Sequence, residues 1–214
     1  MSSLKEQILA AARAESIPSG ESGLWVIKKE TVPEPLPHFH PRLKKRLVLP
    51  AGTYTRLLRS TESTMHIGGE VVMEDTIFEL QTHLRFMLRA RGRVLITGLG
   101  LGCVVRGCLA NPAVKHVVCV EKDMHVLRLV AQHMPKDRRL TIVVADALKW
   151  CKHPELKFDC AWHDLWTDSD NGEEHLQVVH AHLLLAMSRK VDFQGAWDFP
   201  RDQKRLWGKL IEIV

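Results

Sequence analysis

At 214 residues the chain is long enough for one domain with a real core and short for two. Its 45% hydrophobic and 26% charged content are ordinary for a soluble globular protein, and no uninterrupted apolar stretch approaches the ~20 residues needed to span a bilayer. A net charge of +5 is mild and scattered, so neither nucleic acid nor membrane is an expected partner. The dense basic run, Arg42-Leu43-Lys44-Lys45-Arg46, reads as a solvated face or loop, its sharper alternative being a patch for an anionic substrate or nucleic acid. The five cysteines include no Cys-x-x-Cys pair, and Cys108, Cys119 and Cys160 lie in apolar runs. Together with a start, Met-Ser-Ser-Leu-Lys-Glu, unlike a signal peptide, they point to reduced thiols and a cytoplasmic location.

The first 74 residues read as an extension. Leu4–Ala14 has helical spacing, and Pro18–Gly23 breaks it. Pro33, Pro35, Pro37 and Pro41 mark an extended connector without ladder donors. Thr53–Arg59 and Met65–Met73 read as a β-hairpin, with Gly68-Gly69 as a turn or bulge. A long helix is predicted from Thr76, with Glu79 completing a capping box, to about Arg91-Gly92. Glu74-Asp75 ahead of it suit the positive end of the helix dipole.

From Arg93 strands and helices alternate. Near-continuously apolar strands are predicted at Arg93–Thr97, His116–Glu121, Leu140–Ala145 and Phe158–His163. Helices are predicted at Cys103–Ala110, Met124–His133, Ala147–Lys152 and Glu173–Met187. A weaker unit follows, Val191–Trp197 as strand and Arg201–Ile213 as helix. The predicted class is therefore α/β, a doubly wound, mostly parallel, Rossmann-like sheet over residues 75–214 behind an N-terminal extension over residues 1–74.

In such sheets ligands sit at the carboxyl ends of the strands. The first predicted strand ends in Thr97-Gly98-Leu99-Gly100-Leu101-Gly102, a glycine turn into a helix that presents backbone N–H groups to an anionic or polar ligand. The second ends at Glu121, about 20 residues on, where a carboxylate accepts ribose hydroxyls. The third ends at Asp146, which either takes the exocyclic amine of adenine or caps the helix at Ala147. The fourth ends at His163-Asp164. The glycines fit Gly-x-Gly-x-Gly and not the nicotinamide fingerprint, because position 103 is Cys. No nucleophile elbow and no phosphate-cradling Gly-x-x-x-x-Gly-Lys occurs, which sets aside hydrolase and P-loop readings.

From Arg93 to Asp164 these residues resemble the class I S-adenosylmethionine-dependent methyltransferases. Gly98-Leu99-Gly100-Leu101-Gly102 resembles their first motif, Glu121 their ribose acid, Asp146-Ala147 their adenine motif, and Phe158 to Asp164 the motif facing the reacting centre. Phe-Asp-x-x-x-x-Asp at 158–164 is also similar to the Tyr-Asp-x-x-x-x-Asp of the spermidine synthase branch, whose second Asp is the catalytic base. The resemblance, which covers roughly residues 50–190, implies S-adenosyl-L-methionine as cofactor. It implies Gly98, Leu99, Gly100, Gly102, Glu121, Lys122, Asp146, Ala147 and His163 as cofactor-binding residues and Asp164 as the catalytic one. In the same layout Glu74-Asp75 come near the cofactor. Spermidine synthases carry Gly-Gly-Gly-Asp-Gly, and Leu101 stands at the Asp here, which favours methyl over aminopropyl transfer.

The expected function is thus methyl transfer to a small-molecule acceptor. The alternatives are aminopropyl transfer, a NAD-binding oxidoreductase, and a non-catalytic nucleoside-binding protein. No metal is expected: His38 and His40 sit in the proline-rich connector without a carboxylate at fixed spacing. Trp162, Trp166 and Trp197 read either as core or as pocket wall, Trp166 directly following the rim acid Asp164. The sheet reads as shortened at its C-terminal edge. The edge strand at Val191–Trp197 would then be covered by the N-terminal segment or by a second subunit in a homodimer.

Overall fold

Why the second half folds as a layered sheet follows from its strands, which are apolar on both faces. In the computed structural model, which describes residues 2–40, 45–60, 69–165 and 172–197, five of them form one sheet. They are β7 (Gly92–Thr97), β8 (Val114–Glu121), β9 (Leu140–Val144), β10 (Cys160–His163) and β11 (Phe193–Ala196), in spatial order β11-β10-β7-β8-β9. Every pairing is parallel. Val94 to Thr97 of β7 and all four residues of β10 are buried, as central parallel strands must be. The chain runs from β7 out to β9 and then crosses back to β10, so the strand order reverses between β7 and β10. That is where such sheets open a crevice.

The intervening helices are α3 (Cys103–Ala110), α4 (Met124–Val130, continued by a 3-10 turn at Ala131–His133), α5 (Ala147–Trp150) and α6 (Gly172–Met187). Among the described residues, no helix is long and apolar enough to cross a membrane. The expected helix at Arg201–Ile213 lies outside the described residues.

The N-terminal part is larger than a hairpin. After α1 (Leu4–Ala12) come β1 (Gly20–Ser22), β2 (Trp25–Val32), β3 (Leu36–His40), β4 (Lys45–Leu49), β5 (Gly52–Arg59) and β6 (Glu70–Glu74). Four of these make an antiparallel sheet, β1-β2-β5-β6. The expected hairpin is its β5–β6 edge; of the predicted run Met65–Met73, residues 61–68 lie outside the described residues. β2 was hidden by its charges: Trp25, Ile27 and Val32 are buried, with Lys28 and Glu30 between them. The proline-rich connector is corrected in part, since Leu36–His40 pairs with Lys45–Leu49 in a two-stranded ribbon. A ribbon edge tolerates Pro37, which needs no ladder bond on its outer side.

The long helix α2 (Ile77–Arg89) starts where predicted, with Thr76 Oγ1 accepting from the Glu79 N–H at 3.4 Å. Glu79 itself faces elsewhere: its Oε1 accepts from the Trp197 indole at 3.0 Å. Glu74 pairs with Arg56 at 3.1 Å and accepts from Thr76 Oγ1 at 2.8 Å. Asp75 is fully enclosed. Its Oδ1 accepts from the Thr55 N–H at 2.7 Å, and its Oδ2 from Ala14 N–H at 2.9 Å and Arg13 Nε at 3.1 Å. Neither acid lines the cavity described below, although the adjoining Met73 does.

Two histidines are also built into the interior. His163 lies 3.0 Å from Thr97 Oγ1 through Nδ1 and 3.3 Å from Gln194 Oε1 through Nε2. His180 of α6 accepts the Leu165 N–H at 3.0 Å through Nε2. Burial pushes His163 down to about 3 and His180 down to about 4.

Two outcomes are expected. Asp75→Ala strands two buried N–H groups and Arg13, and is expected to cost about 3–5 kcal/mol in urea unfolding; a loss under ~1 kcal/mol contradicts the anchoring role. The lowered histidines make the unfolded chain the better proton acceptor below its ordinary value of 6.5. Stability is therefore complete above that pH and falls as pH drops towards the folded values, by roughly 2 kcal/mol per histidine at pH 5. A melting temperature that stays level from about pH 7 to pH 5, where carboxylates scarcely titrate, contradicts this.

Candidate functional site

A cavity of about 370 Å³ opens at the carboxyl ends of the parallel strands. It is within the usual range for small-molecule sites. The sheet contributes Gly98 and Gly100 after β7, Glu121 and Lys122 at the end of β8, Asp146 and Ala147 after β9, and Asp164 after β10. Seven of the ten residues expected from the sequence therefore share one cavity wall.

The glycine turn is shaped from within the protein as well as toward the cavity. Gly98 has φ +91°, and a Cβ there would overlap the Asp164 carbonyl oxygen. The turn after β7 thus lies directly against the end of β10. Gly100 has φ +51°, and its Cβ would come 2.7 Å from Met73 Sδ. The same sulfur accepts the Leu101 N–H at 3.2 Å. Leu101 is fully buried in the core, not turned to the cavity.

Glu121 has structural work of its own. Its Oε2 accepts from Leu99 N–H and its Oε1 from Asp123 N–H, both at 2.8 Å. These bonds fix the glycine turn and the start of α4 to the end of β8. Each carboxylate oxygen keeps lone-pair capacity for a further donor. Asp146 takes the capping role that the sequence offered, with Oδ1 accepting the Leu148 N–H of α5 at 2.8 Å, and it also lines the cavity.

Three residues of the expected set stand behind the wall, not on it. Leu99 is buried and reaches the site only through its N–H bond to Glu121. Gly102, with φ +74°, is the N-cap of α3 and packs against Met134. His163 is enclosed in the sheet as described above.

Four residues outside the expected site set come together beside Asp164. His83 of α2 is fully buried and sits edge-on to Trp162, with ring centroids 5.6 Å apart. Its Nε2 lies 3.4 Å from Glu79 Oε1 and 3.9 Å from Asp164 Oδ2. Trp197, after β11, bonds the same Glu79. The i, i+4 spacing of Glu79 and His83 was a readable signal for a shared helix face; that this face meets β10 was not. Among the described residues no three His, Cys, Asp or Glu side chains are grouped to hold a metal ion. Trp166 lies outside the described residues, as do the side chains of His38 and His40.

The antiparallel sheet supplies the opposite wall through Trp25, Leu57, Arg59, Val72 and Met73. Trp25 Nε1 donates to Asp123 Oδ2 at 2.7 Å, and the Arg59 guanidinium lies 5.6 Å from the Trp25 ring centroid. Asp123 in turn caps α4 at His125 and Val126.

No family model matches the chain. It is 32% identical over 128 residues to a polyamine aminopropyltransferase of Ruegeria sp. (strain TM1040), a match covering 56% of this chain and 43% of that protein. It is 39% identical over 108 residues to polyamine aminopropyltransferase 2 of Ralstonia nicotianae, covering 46% of this chain and 21% of the relative. The chain thus spans less than half the length of these relatives. Among solved structures it resembles spermidine synthase from Thermotoga maritima, with a TM-score of 0.51 at 17% identity over 91% of this chain and 60% of that one. The strand order, the glycine turn after β7 and this likeness agree: the chain has the class I S-adenosylmethionine-dependent methyltransferase fold and, within it, is similar to spermidine synthase.

Proposed function

We propose that the chain transfers a group from an S-adenosyl sulfonium to a small acceptor, with methyl as the group transferred. The observation that carries this reading is the delivery of Gly98, Gly100, Glu121, Asp146 and Asp164 to one cavity by four parallel strands. The donor set suits the ligand: Glu121 has carboxylate oxygens for ribose hydroxyls, and Asp146 has them for the adenine amine. Bound there, the cofactor supplies a carbon already activated as a sulfonium.

The protein's remaining tasks are alignment and proton removal. Asp164 is held in place by its N–H bond to Thr97 O at 2.9 Å and by the Gly98 contact. Its carboxylate accepts the proton that a neutral amine or hydroxyl loses on transfer. Glu79, on the other side of His83, adds a second negative group, which favours an acceptor carrying an amine. Leu57, Val72 and Leu165 offer its carbon skeleton an apolar wall.

Aminopropyl transfer is the second reading. The names of the relatives and the acidic Glu79–Asp164 pair favour it. Against it stands Leu101, an apolar side chain at the glycine-turn position where spermidine synthases carry Asp.

Calorimetry with S-adenosylmethionine, S-adenosylhomocysteine, decarboxylated S-adenosylmethionine and NAD tests the reading. S-adenosylhomocysteine is expected to bind; binding of NAD alone overturns the proposal. Asp164→Asn is expected to keep a near-normal melting temperature and S-adenosylhomocysteine affinity while turnover falls about 10²–10⁴-fold. Full turnover in that variant removes Asp164 as the base.

A further inference from the structure

Asp164 leaves the end of β10, and the direction of its side chain depends on the two peptide planes that meet at its Cα. The sheet fixes the first of them: the Asp164 N–H donates to Thr97 O of β7 at 2.9 Å. The second, between Asp164 and Leu165, lies past the last ladder position of β10, where His163 pairs with Thr97 on one side and Ala196 on the other. By then β7 has ended and turned off at Gly98. A side chain takes the Leu165 N–H instead: His180 of α6 accepts it through Nε2 at 3.0 Å.

His180 stands out on its helix. Its described neighbours Val179, Ala181, Leu183, Leu184 and Met187 are buried and apolar, and the imidazole among them has no exposure. A polar ring is stable in such a place only when it is hydrogen-bonded, and here the bond goes to the residue directly after Asp164. The ring also lies against the backbone of Trp197, just past β11. The Asp164 carbonyl is confined as well, because a Cβ on Gly98 would overlap its oxygen. With both planes held, the Cβ of Asp164 has one direction, and only its χ angles remain to place the carboxylate. That direction brings Oδ2 to 3.9 Å from His83 Nε2 and puts the residue on the cavity wall.

We infer that His180 is a positioning residue for Asp164: by accepting the Leu165 N–H it sets the direction in which the carboxylate enters the cavity. The catalytic meaning of this role rests on the group-transfer reading above, in which that carboxylate takes the acceptor's proton. His180 itself stands behind the cavity wall and acts only through the exit of β10. Without its acceptor the Leu165 N–H turns to find another. Leu165 is packed against the core cluster that contains Leu183 and Met187, so the turn is taken up at Asp164 and swings its Cβ. A misplacement of about 1 Å can cost about 10²-fold in rate.

The test compares His180→Leu, which fills the space and accepts no hydrogen bond, with His180→Gln, whose side-chain oxygen reaches the place of Nε2. Crystal structures are expected to show the Asp164 carboxylate displaced by about 1 Å in His180→Leu and restored in His180→Gln. Turnover is expected to fall about 10- to 100-fold in His180→Leu and to recover to within about threefold of wild type in His180→Gln, with near-normal S-adenosylhomocysteine affinity in both. Added to Asp164→Asn, His180→Leu is expected to cause no further loss, because the two residues act as one unit. In the wild-type protein the Leu165 amide is expected to exchange its hydrogen as slowly as the amides of β10, a measurement that does not need His180→Leu to fold. The assignment is overturned by a freely exchanging Leu165 amide, by a carboxylate that stays in place in His180→Leu, or by turnover and S-adenosylhomocysteine affinity falling in parallel, which marks a purely structural residue. Full turnover in Asp164→Asn overturns the functional reading instead, an outcome separate from these three.

Discussion

A buried carboxylate holds the N-terminal part of this structure together at the start of α2. Asp75 stands at the junction of β6 and α2, with no exposed surface, and accepts N–H groups from α1's exit and from β5. A charge at zero exposure persists only where donors surround it, and here Arg13, Ala14 and Thr55 do so. Those bonds fasten the exit of α1 to β5, and the neighbouring Met73 sulfur takes the Leu101 N–H of the glycine turn. Lys29 Nζ adds to the clamp, reaching the carbonyl oxygens of Ala14 and Glu15 and the Thr55 hydroxyl. The cavity lies between the two sheets, which meet through the Met73–Leu101 and Trp25–Asp123 bonds.

The parallel-sheet wall shows how little of a binding site is reserved for ligand. Glu121 holds the glycine turn and the α4 entry in place, Asp146 caps α5, and Asp123 both caps α4 and binds the Trp25 indole. These bonds fix where each carboxylate stands before any ligand arrives, so ordering costs on binding are reduced. Gly98 works in the same sense. The turn can lie against the end of β10 only because it carries no side chain, and that contact brings Asp164 beside the turn.

The other chemistry of the site is gathered by crossing elements. β10 brings Asp164, α2 brings Glu79 and His83, and the residue after β11 brings Trp197. His83 has Trp162 at its edge, so a polar cluster is set directly against the core. Buried polar groups of this kind hold one geometry when satisfied.

Sequence alone determined the strand–helix alternation from Arg93, the helix starting behind Thr76, the glycine turn, and the acids that end β8, β9 and β10. Those are local matters of apolar run length, capping chemistry and glycine's access to positive φ. They sufficed to place Gly98, Gly100, Glu121, Asp146 and Asp164 on one rim, because parallel strands with regular crossovers leave no other arrangement. Tertiary structure decided the rest. It made Asp75 an anchor for Arg13, Ala14 and Thr55, turned His163 into the sheet, and brought Trp25, from a strand whose mixed charges had hidden it, to the same cavity as Arg59 and Met73. Nothing in the spacing of Trp25, Arg59 and Met73 marks them as neighbours. Antiparallel register puts them side by side, and register is set by long-range pairing and burial, which no local stretch of sequence contains.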